Sequence, residues 1–226
     1  MSTPSAPAQA PVAVSPWEVP GHAWYARDVH AVARDLLGAV LVRRTPEGTV
    51  ALRVTEVEAY DGENDPGSHA FRGRTVRNAT MFGEPGRVYV YRHLGLHHCV
   101  NVVCGPVGRA AAVLLRAGEV VEGAELARSR RTAVGVCDSD RQLARGPARL
   151  TVAMAMSLAD DGADLTDPDG ALALTLPLDR TRGAVATGPR VGVSGDGGRG
   201  DLYPWRSWLV DEPTVSAYRP VSARRR

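Results

Sequence analysis

From Val29 to Leu37 the apolar residues fall at Val29, Val32, Ala33, Leu36 and Leu37, the spacing of one helical face. Asp28 stands where an N-cap belongs and Gly38 where a helix ends, so the stretch predicts a helix packed on the core. The period then changes to two. Ala39–Arg43 and Val50–Val57 read as strands, and Thr45-Pro-Glu-Gly48 between them makes a hairpin. Val50, Leu52 and Val54 set the buried phase of the second strand. That pattern stops at Glu58, a carboxylate where the rhythm leads one to expect another buried apolar side chain. Glu58 is therefore expected to leave a strand end into a pocket.

Further along, Arg87–Tyr91, Cys99–Cys104 and Ala110–Arg116 are strand-like, and Arg116 ends its apolar run as Glu58 does. A buried arginine needs a carboxylate or phosphate partner, which suggests a charge pair across the pocket. Val121–Arg131 reads as a helix. Ala144–Arg149 contains a Gly-Pro step and opens the apolar segment Leu150–Leu158; it suits either a phosphate cradle at a helix start or plain helix initiation. Asp160–Asp169 is an acidic turn region, Ala171–Pro177 a short strand, and Trp205 and Trp208 are expected as core aromatics of a final strand. The segment 1–20 is rich in Pro, Ala and Ser and is expected to be disordered, and 221–226 forms a basic tail. The resulting expectation is a single α+β domain over 21–220, with a curved, mainly antiparallel β-sheet surrounded by helices.

Composition narrows the chemistry. A chain of 226 residues, 44% of them hydrophobic, can bury one sizeable core. The net charge is only +2, so overall basicity does not announce a polyanion; clustering does. Between Arg87 and Arg149 ten arginines face only Glu119, Glu122, Glu125, Asp138 and Asp140. All 27 basic residues are arginine, so no lysine amine is present for Schiff-base chemistry, and water is the expected nucleophile. Cys99, Cys104 and Cys137, without a signal peptide, suggest a reducing cytoplasm. His97 and Cys99 point one way on a strand and His98 the other, which does not suit a zinc site; no metal and no cofactor is expected. No apolar run approaches the length of a membrane span.

The stretch Glu58–Asn101 carries the chemistry. Tyr60, His69 and Tyr91 with a carboxylate suit a site that stacks on a flat ring and activates water, and Arg72, Arg74, Arg77, Arg87 and Arg92 around them suit a phosphate backbone. In order, Glu58-Ala-Tyr60, Gly67-Ser-His69, Arg77-Asn-x-x-Met81-Phe82, Tyr89-Val-Tyr91 and Cys99-x-Asn101 resemble the alkyladenine (3-methyladenine) DNA glycosylase family, over about Val29 to Tyr218. The resemblance implies a monofunctional, cytoplasmic, monomeric enzyme. It would flip a damaged purine out of double-stranded DNA and hydrolyse its N-glycosidic bond. It places the general base on Glu58, with Glu56 the competitor two residues earlier, and a water-holding role on Arg116. Tyr60, His69 and Tyr91 would enclose the base, and Asn101 would crowd the amino group of normal guanine. Arg145 joins Arg72, Arg74, Arg77 and Arg92 as an expected backbone contact. Gly188-Pro-Arg-Val-Gly192 resembles a late glycine-containing strand near the pocket. One departure stands out: Leu94 replaces the tyrosine that fills the gap left by the flipped nucleotide, and leucine is itself a known wedge. A lesion binder without turnover is the alternative from another class. A carbohydrate hydrolase is a weaker third, since it would need a second carboxylate as acid.

Overall fold

The computed structural model describes residues 17–177 and 183–218. Its elements run β1 (Trp17–Glu18), α1 (His22–Tyr25), α2 (Val29–Leu36), β2 (Val40–Thr45), β3 (Gly48–Tyr60), β4 (Val88–His93), β5 (His97–Val103), β6 (Ala112–Glu122), α3 (Ala124–Thr132), β7 (Ala144–Arg145), α4 (Pro147–Ala153), β8 (Leu172–Pro177), β9 (Val185–Gly188) and β10 (Arg206–Leu209). The strands form an antiparallel sheet in the order β1-β8-β2-β3-β6-β5-β4, with β7 added on β6 and β9 paired to β10. The chain is thus one α+β domain, as the alternating strands predicted. Most of the Pro/Ala-rich segment and the basic tail lie outside the described residues. Trp17 and Glu18, towards the end of that segment, pair with Pro177 and Leu176 as an edge strand.

The helix at Val29 forms as its spacing requires. The Asp28 carboxylate accepts from the backbone N–H groups of His30 and Ala31, and Val29, Val32, Ala33 and Leu36 are buried. The predicted helix at Val121 begins later, because Val121 and Glu122 still belong to β6 and the turn is made at Gly123 in the left-handed region. Of the glycine-containing stretch Gly188–Gly192 only Gly188 is strand, as the last residue of β9; Pro189–Gly192 leaves it as loop. Trp208 is half-buried rather than a core residue, with the Arg206 guanidinium 4.6 Å from its ring.

Strand β3 is the axis of the sheet. β2 covers its first half, β10 pairs with Glu56–Glu58, and β6 runs along it from Ala51 to Tyr60. Its core phase is Val50, Leu52 and Val54, then Val57 and Ala59. The phase changes from even to odd because Thr55 is an extra residue between Val54↔Gly118 and Glu56↔Ala117; Arg116 is the extra residue on β6, before Val57↔Leu115. Such bulges re-aim side chains. The anomaly at Glu58 is resolved here: the strand does not stop, it shifts phase and continues to Tyr60. Gly118 is required where β6 approaches, since a Cβ there would lie 2.3 Å from Leu52 Cδ2 and 2.6 Å from the Arg53 carbonyl oxygen.

Candidate active site

Alternation gives the sheet two faces. Val88, Val90, Val100, Val102, Val113 and Leu115 join the main core, whereas Tyr89, Val103 and Ala112 join Ala70 and Met81 in a smaller cluster. On that second face, register lines up one row across four strands: Glu58↔Leu114, Leu114↔Asn101 and Asn101↔Tyr89. Above it opens a cavity of about 330 Å³. Tyr60, His69, Tyr91, Asn101 and Arg116 all line it, with the loop segments Pro66–His69 and Val191–Ser194 as further walls. Residues from Tyr60 to Ser194 are thus gathered by one sheet face and two loops.

Glu58 has no exposed surface and is not itself part of the wall, which corrects its expected place in an open pocket. It reaches the cavity through neighbours that do line it. The Tyr60 hydroxyl donates to Oε2 at 2.8 Å, and Arg116 Nη1 lies 3.2 Å from Oε1. The Val191 N–H also donates to Oε1, at 2.7 Å. Burial, and then the Glu58 charge, push the Tyr60 phenol well above its usual range, so the hydroxyl stays a donor. Glu56 is saturated instead. Its Oε1 accepts from Arg116 Nε (3.0 Å), Arg206 Nε (2.6 Å) and the Ser216 hydroxyl (2.9 Å), and its Oε2 from the Ser216 N–H (2.7 Å). The charge pair expected for Arg116 is therefore a shared one. Burial works against the Arg116 charge, and Glu58 and Glu56 outweigh it.

The aromatic wall differs in detail from the expected enclosure. His69 and Tyr91 touch edge to face, with centroids 4.4 Å apart, so no base fits between those two. Tyr89, not singled out in the sequence, stacks 5.7 Å from Tyr91 and lies 3.2 Å from His69 Nδ1 through its hydroxyl. Its signal was available: Tyr89 and Tyr91 are two apart on one strand and share a face. Tyr60 belongs to another part of the wall, over the Arg190 guanidinium at 4.5 Å. His69 stands exposed at the rim. Partial burial, then the charges of Arg77 and His93, hold its imidazole below the usual histidine range. Asn101 is buried and donates from Nδ2 to the Tyr89 carbonyl (3.0 Å). Asn78 of the Arg77-Asn pair holds the loop, donating to the carbonyls of His69 and Gly73.

Beside the cavity, β4 and β5 end in a tight turn that presents Leu94, 80% exposed, at a φ of 50°. A left-handed leucine costs roughly 1–2 kcal/mol, and strain of this kind gathers at functional sites. Arg72, Arg74, Arg77 and Arg92 are exposed, and Arg77 reaches the Arg92 carbonyl from the flank of this hairpin. Two further arginines are engaged within the protein. Arg87 is paired with Glu84 and Asp164, and half-buried Arg145 donates from Nε to the Val215 carbonyl at 2.8 Å. Among the described residues no cluster of three His, Cys, Asp or Glu suits a metal ion, and no helix is long and apolar enough to cross a membrane.

A sequence model of the methylpurine-DNA glycosylase family matches residues 23–213. Curated relatives provisionally named 3-methyladenine DNA glycosylase include one from Streptomyces avermitilis, 57% identical over 90% of this chain and 93% of its own length. Another, from Leifsonia xyli, is 60% identical over 83% of this chain and 87% of its own. A third, from Mycobacterium tuberculosis, is 48% identical over 86% and 92%.

Proposed function

The chain belongs to the methylpurine-DNA glycosylase family, a hydrolase of DNA repair, and from that premise we propose that it excises alkylated or deaminated purines. The damaged nucleotide is flipped out of the duplex into the cavity, and water cleaves its N-glycosidic bond, opening base excision repair. The names carried by its relatives favour 3-methyladenine as a substrate. Leu94 fills the gap in the stack, and Arg72, Arg74, Arg77 and Arg92, with Arg145 in a lesser part, hold the phosphates. Tyr60, Tyr91 and His69 form walls against the base, and Asn101 crowds the guanine amino group.

Glu58 acts as general base. The observation that carries this role is its unfinished hydrogen bonding directly behind residues of the cavity wall. A carboxylate offers roughly four lone-pair sites, and among the described residues Glu58 receives hydrogen bonds from Tyr60 and Val191 alone, with Arg116 as counter-charge. It keeps capacity for a water, whose proton it takes as the hydroxide attacks the sugar C1′ and the base departs with the bond electrons. Arg116 helps hold that water. With no lysine, the product is an intact abasic site. The protein acts as a monomer, in the bacterial cytoplasm on nucleoid DNA, in keeping with its bacterial relatives.

The competing reading, a lesion binder without turnover, draws on the absence of exposed surface at Glu58. One experiment decides. Base release is measured from duplexes carrying 3-methyladenine, hypoxanthine or ethenoadenine, with borohydride and EDTA in parallel. Release of free base with an uncut strand, no trapped adduct and no effect of EDTA is expected. Binding without release supports the alternative, and strand nicking or a trapped adduct overturns the water mechanism.

A further inference from the structure

Asp65 and Arg190 form a second buried ion pair that the proposed chemistry does not use. Both side chains are fully buried, and the contact is two-pronged: Nη1 to Oδ2 at 2.5 Å and Nη2 to Oδ1 at 2.7 Å. A pair of charges in an interior is weak evidence for stability, because desolvation offsets much of the attraction. What distinguishes this pair is what else it grips. Arg190 Nη1 donates to the Ala59 carbonyl (3.0 Å), between Glu58 and Tyr60 on β3. Nη2 donates to the Gly197 carbonyl (2.7 Å), closing the loop whose residues Val191–Ser194 line the cavity. Asp65 Oδ1 accepts from the Gly67 N–H (2.8 Å), at the start of the wall that carries His69. The guanidinium lies under the Tyr60 ring, and Nε is buried with no hydrogen-bond partner among the described residues, so the fork is turned to serve these contacts at the expense of its own last donor.

The fit around it leaves no slack. A Cβ at Gly67 would stand 2.6 Å from Arg190 Nη2, and one at Gly197 would stand 2.3 Å from the Gly67 nitrogen. Three pieces of the site (the end of β3, the loop 65–69 and the loop 190–197) therefore converge on one guanidinium. The residue after Arg190 supplies the N–H that Glu58 accepts.

We propose that Arg190, paired with Asp65, is a positioning residue of the glycosylase reaction, fixing Tyr60 and the Val191 N–H against Glu58. This rests on Glu58 being the general base. Arg190→Lys keeps a positive charge but cannot span two carboxylate oxygens and two carbonyls at once. Asp65→Asn keeps the shape and removes the charge that orients the fork.

The test compares wild type, Arg190→Lys, Asp65→Asn and, as reference, Glu58→Gln, all as full chains. Single-turnover excision is followed on the lesion that the wild type releases fastest, and affinity for the same duplex by fluorescence anisotropy, with a thermal melt to fix the folded fraction. A misplaced catalytic group costs on the order of tenfold to a hundredfold in rate. Excision per bound complex is expected to fall by about that factor in both variants, with duplex affinity within about threefold of wild type. A wild-type rate per bound complex in either folded variant, with Glu58→Gln inactive, overturns the positioning role alone. Loss of folding in both variants overturns it too, by assigning the pair to the core. A Glu58→Gln protein that excises normally removes the general-base reading itself, whatever the other variants do.

Discussion

Glu56 and Glu58 stand two residues apart on β3, on the same face after the bulge at Thr55, and neither has exposed surface. Chemically they are identical; their surroundings are not. Glu56 receives four hydrogen bonds from Arg116, Arg206 and Ser216, which fills the capacity of a carboxylate and ties the segment around Ser216 to the sheet. Among the described residues Glu58 receives two, from groups that themselves face the cavity. A buried charge held by four hydrogen bonds suits a structural part, whereas one held by two beside a cavity suits proton transfer. Arg116 joins the two, Nε on Glu56 and Nη1 on Glu58, so the saturated carboxylate also orients the counter-charge of the other.

The comparison breaks most directly on paired substitutions. Glu58→Gln keeps the shape and removes the proposed base, so single-turnover excision should fall by about 10²–10⁴, the usual contribution of a general base, with the melting temperature little changed. Near-normal excision would move the role to Glu56 and erase the distinction. Glu56→Gln should do the reverse. It leaves Arg116 and Arg206 facing a neutral amide, and removing one partner of a buried ion pair costs about 3–5 kcal/mol. Chemical denaturation should show that loss, with excision per folded molecule reduced far less than in Glu58→Gln. A stable but inactive Glu56→Gln protein would contradict the assignment.

Two milder changes sharpen the contrast. Tyr60→Phe retains the ring over Arg190 and deletes one donor to Glu58, a hydrogen bond to a charged group worth roughly 1.5–3 kcal/mol. Excision should drop roughly tenfold to a hundredfold, evenly from pH 6 to 9, since the phenol stays protonated throughout. A drop confined to one end of that range would mean that Tyr60 titrates. Leu94→Ala touches neither glutamate. It should weaken capture of lesion duplex by about 1–3 kcal/mol while the rate within the bound complex holds, as measured by enzyme-concentration dependence of single turnovers. Equal capture would place the wedge elsewhere on the hairpin, with His93 first.

Much of this contrast was legible in the sequence, and its limits are instructive. The helix at Val29, the hairpin at Thr45–Gly48 and the short strands follow from periodicity and caps, which are local. Glu58, Tyr60, His69, Tyr91 and Asn101 follow from motif order and Arg116 from the end of an apolar run, and all but Glu58 line one cavity. The phase shift at Thr55 was not legible, because a bulge is set by pairing with β6 rather than by residues of β3 alone. The same holds for Arg206, Ser216, Asp65 and Arg190, whose partners lie 125 or more residues away in the chain. Tyr89 was readable from its spacing to Tyr91, since alternation puts both on one face of β4.

A pH titration of stability separates the cavity from the saturated network by its smallest signal. His69 lies at the rim, and its imidazole is held below the usual range by partial burial and by the charges of Arg77 and His93. Its folded value is therefore lower than that in the unfolded chain, about 6.5. Between the two values the unfolded state binds more protons, so stability falls as pH drops through that window and is flat in this respect above it. Exposure to solvent screens the charges, which keeps the effect small. In His69→Gln the dependence disappears. Melting curves of wild type and variant should run parallel above about pH 6.5 and converge or cross below it, the wild type losing more. Parallel curves down to pH 5 would show an imidazole that folding does not perturb, and the cationic rim formed by Arg77 and His93 would then exert no hold on the pocket.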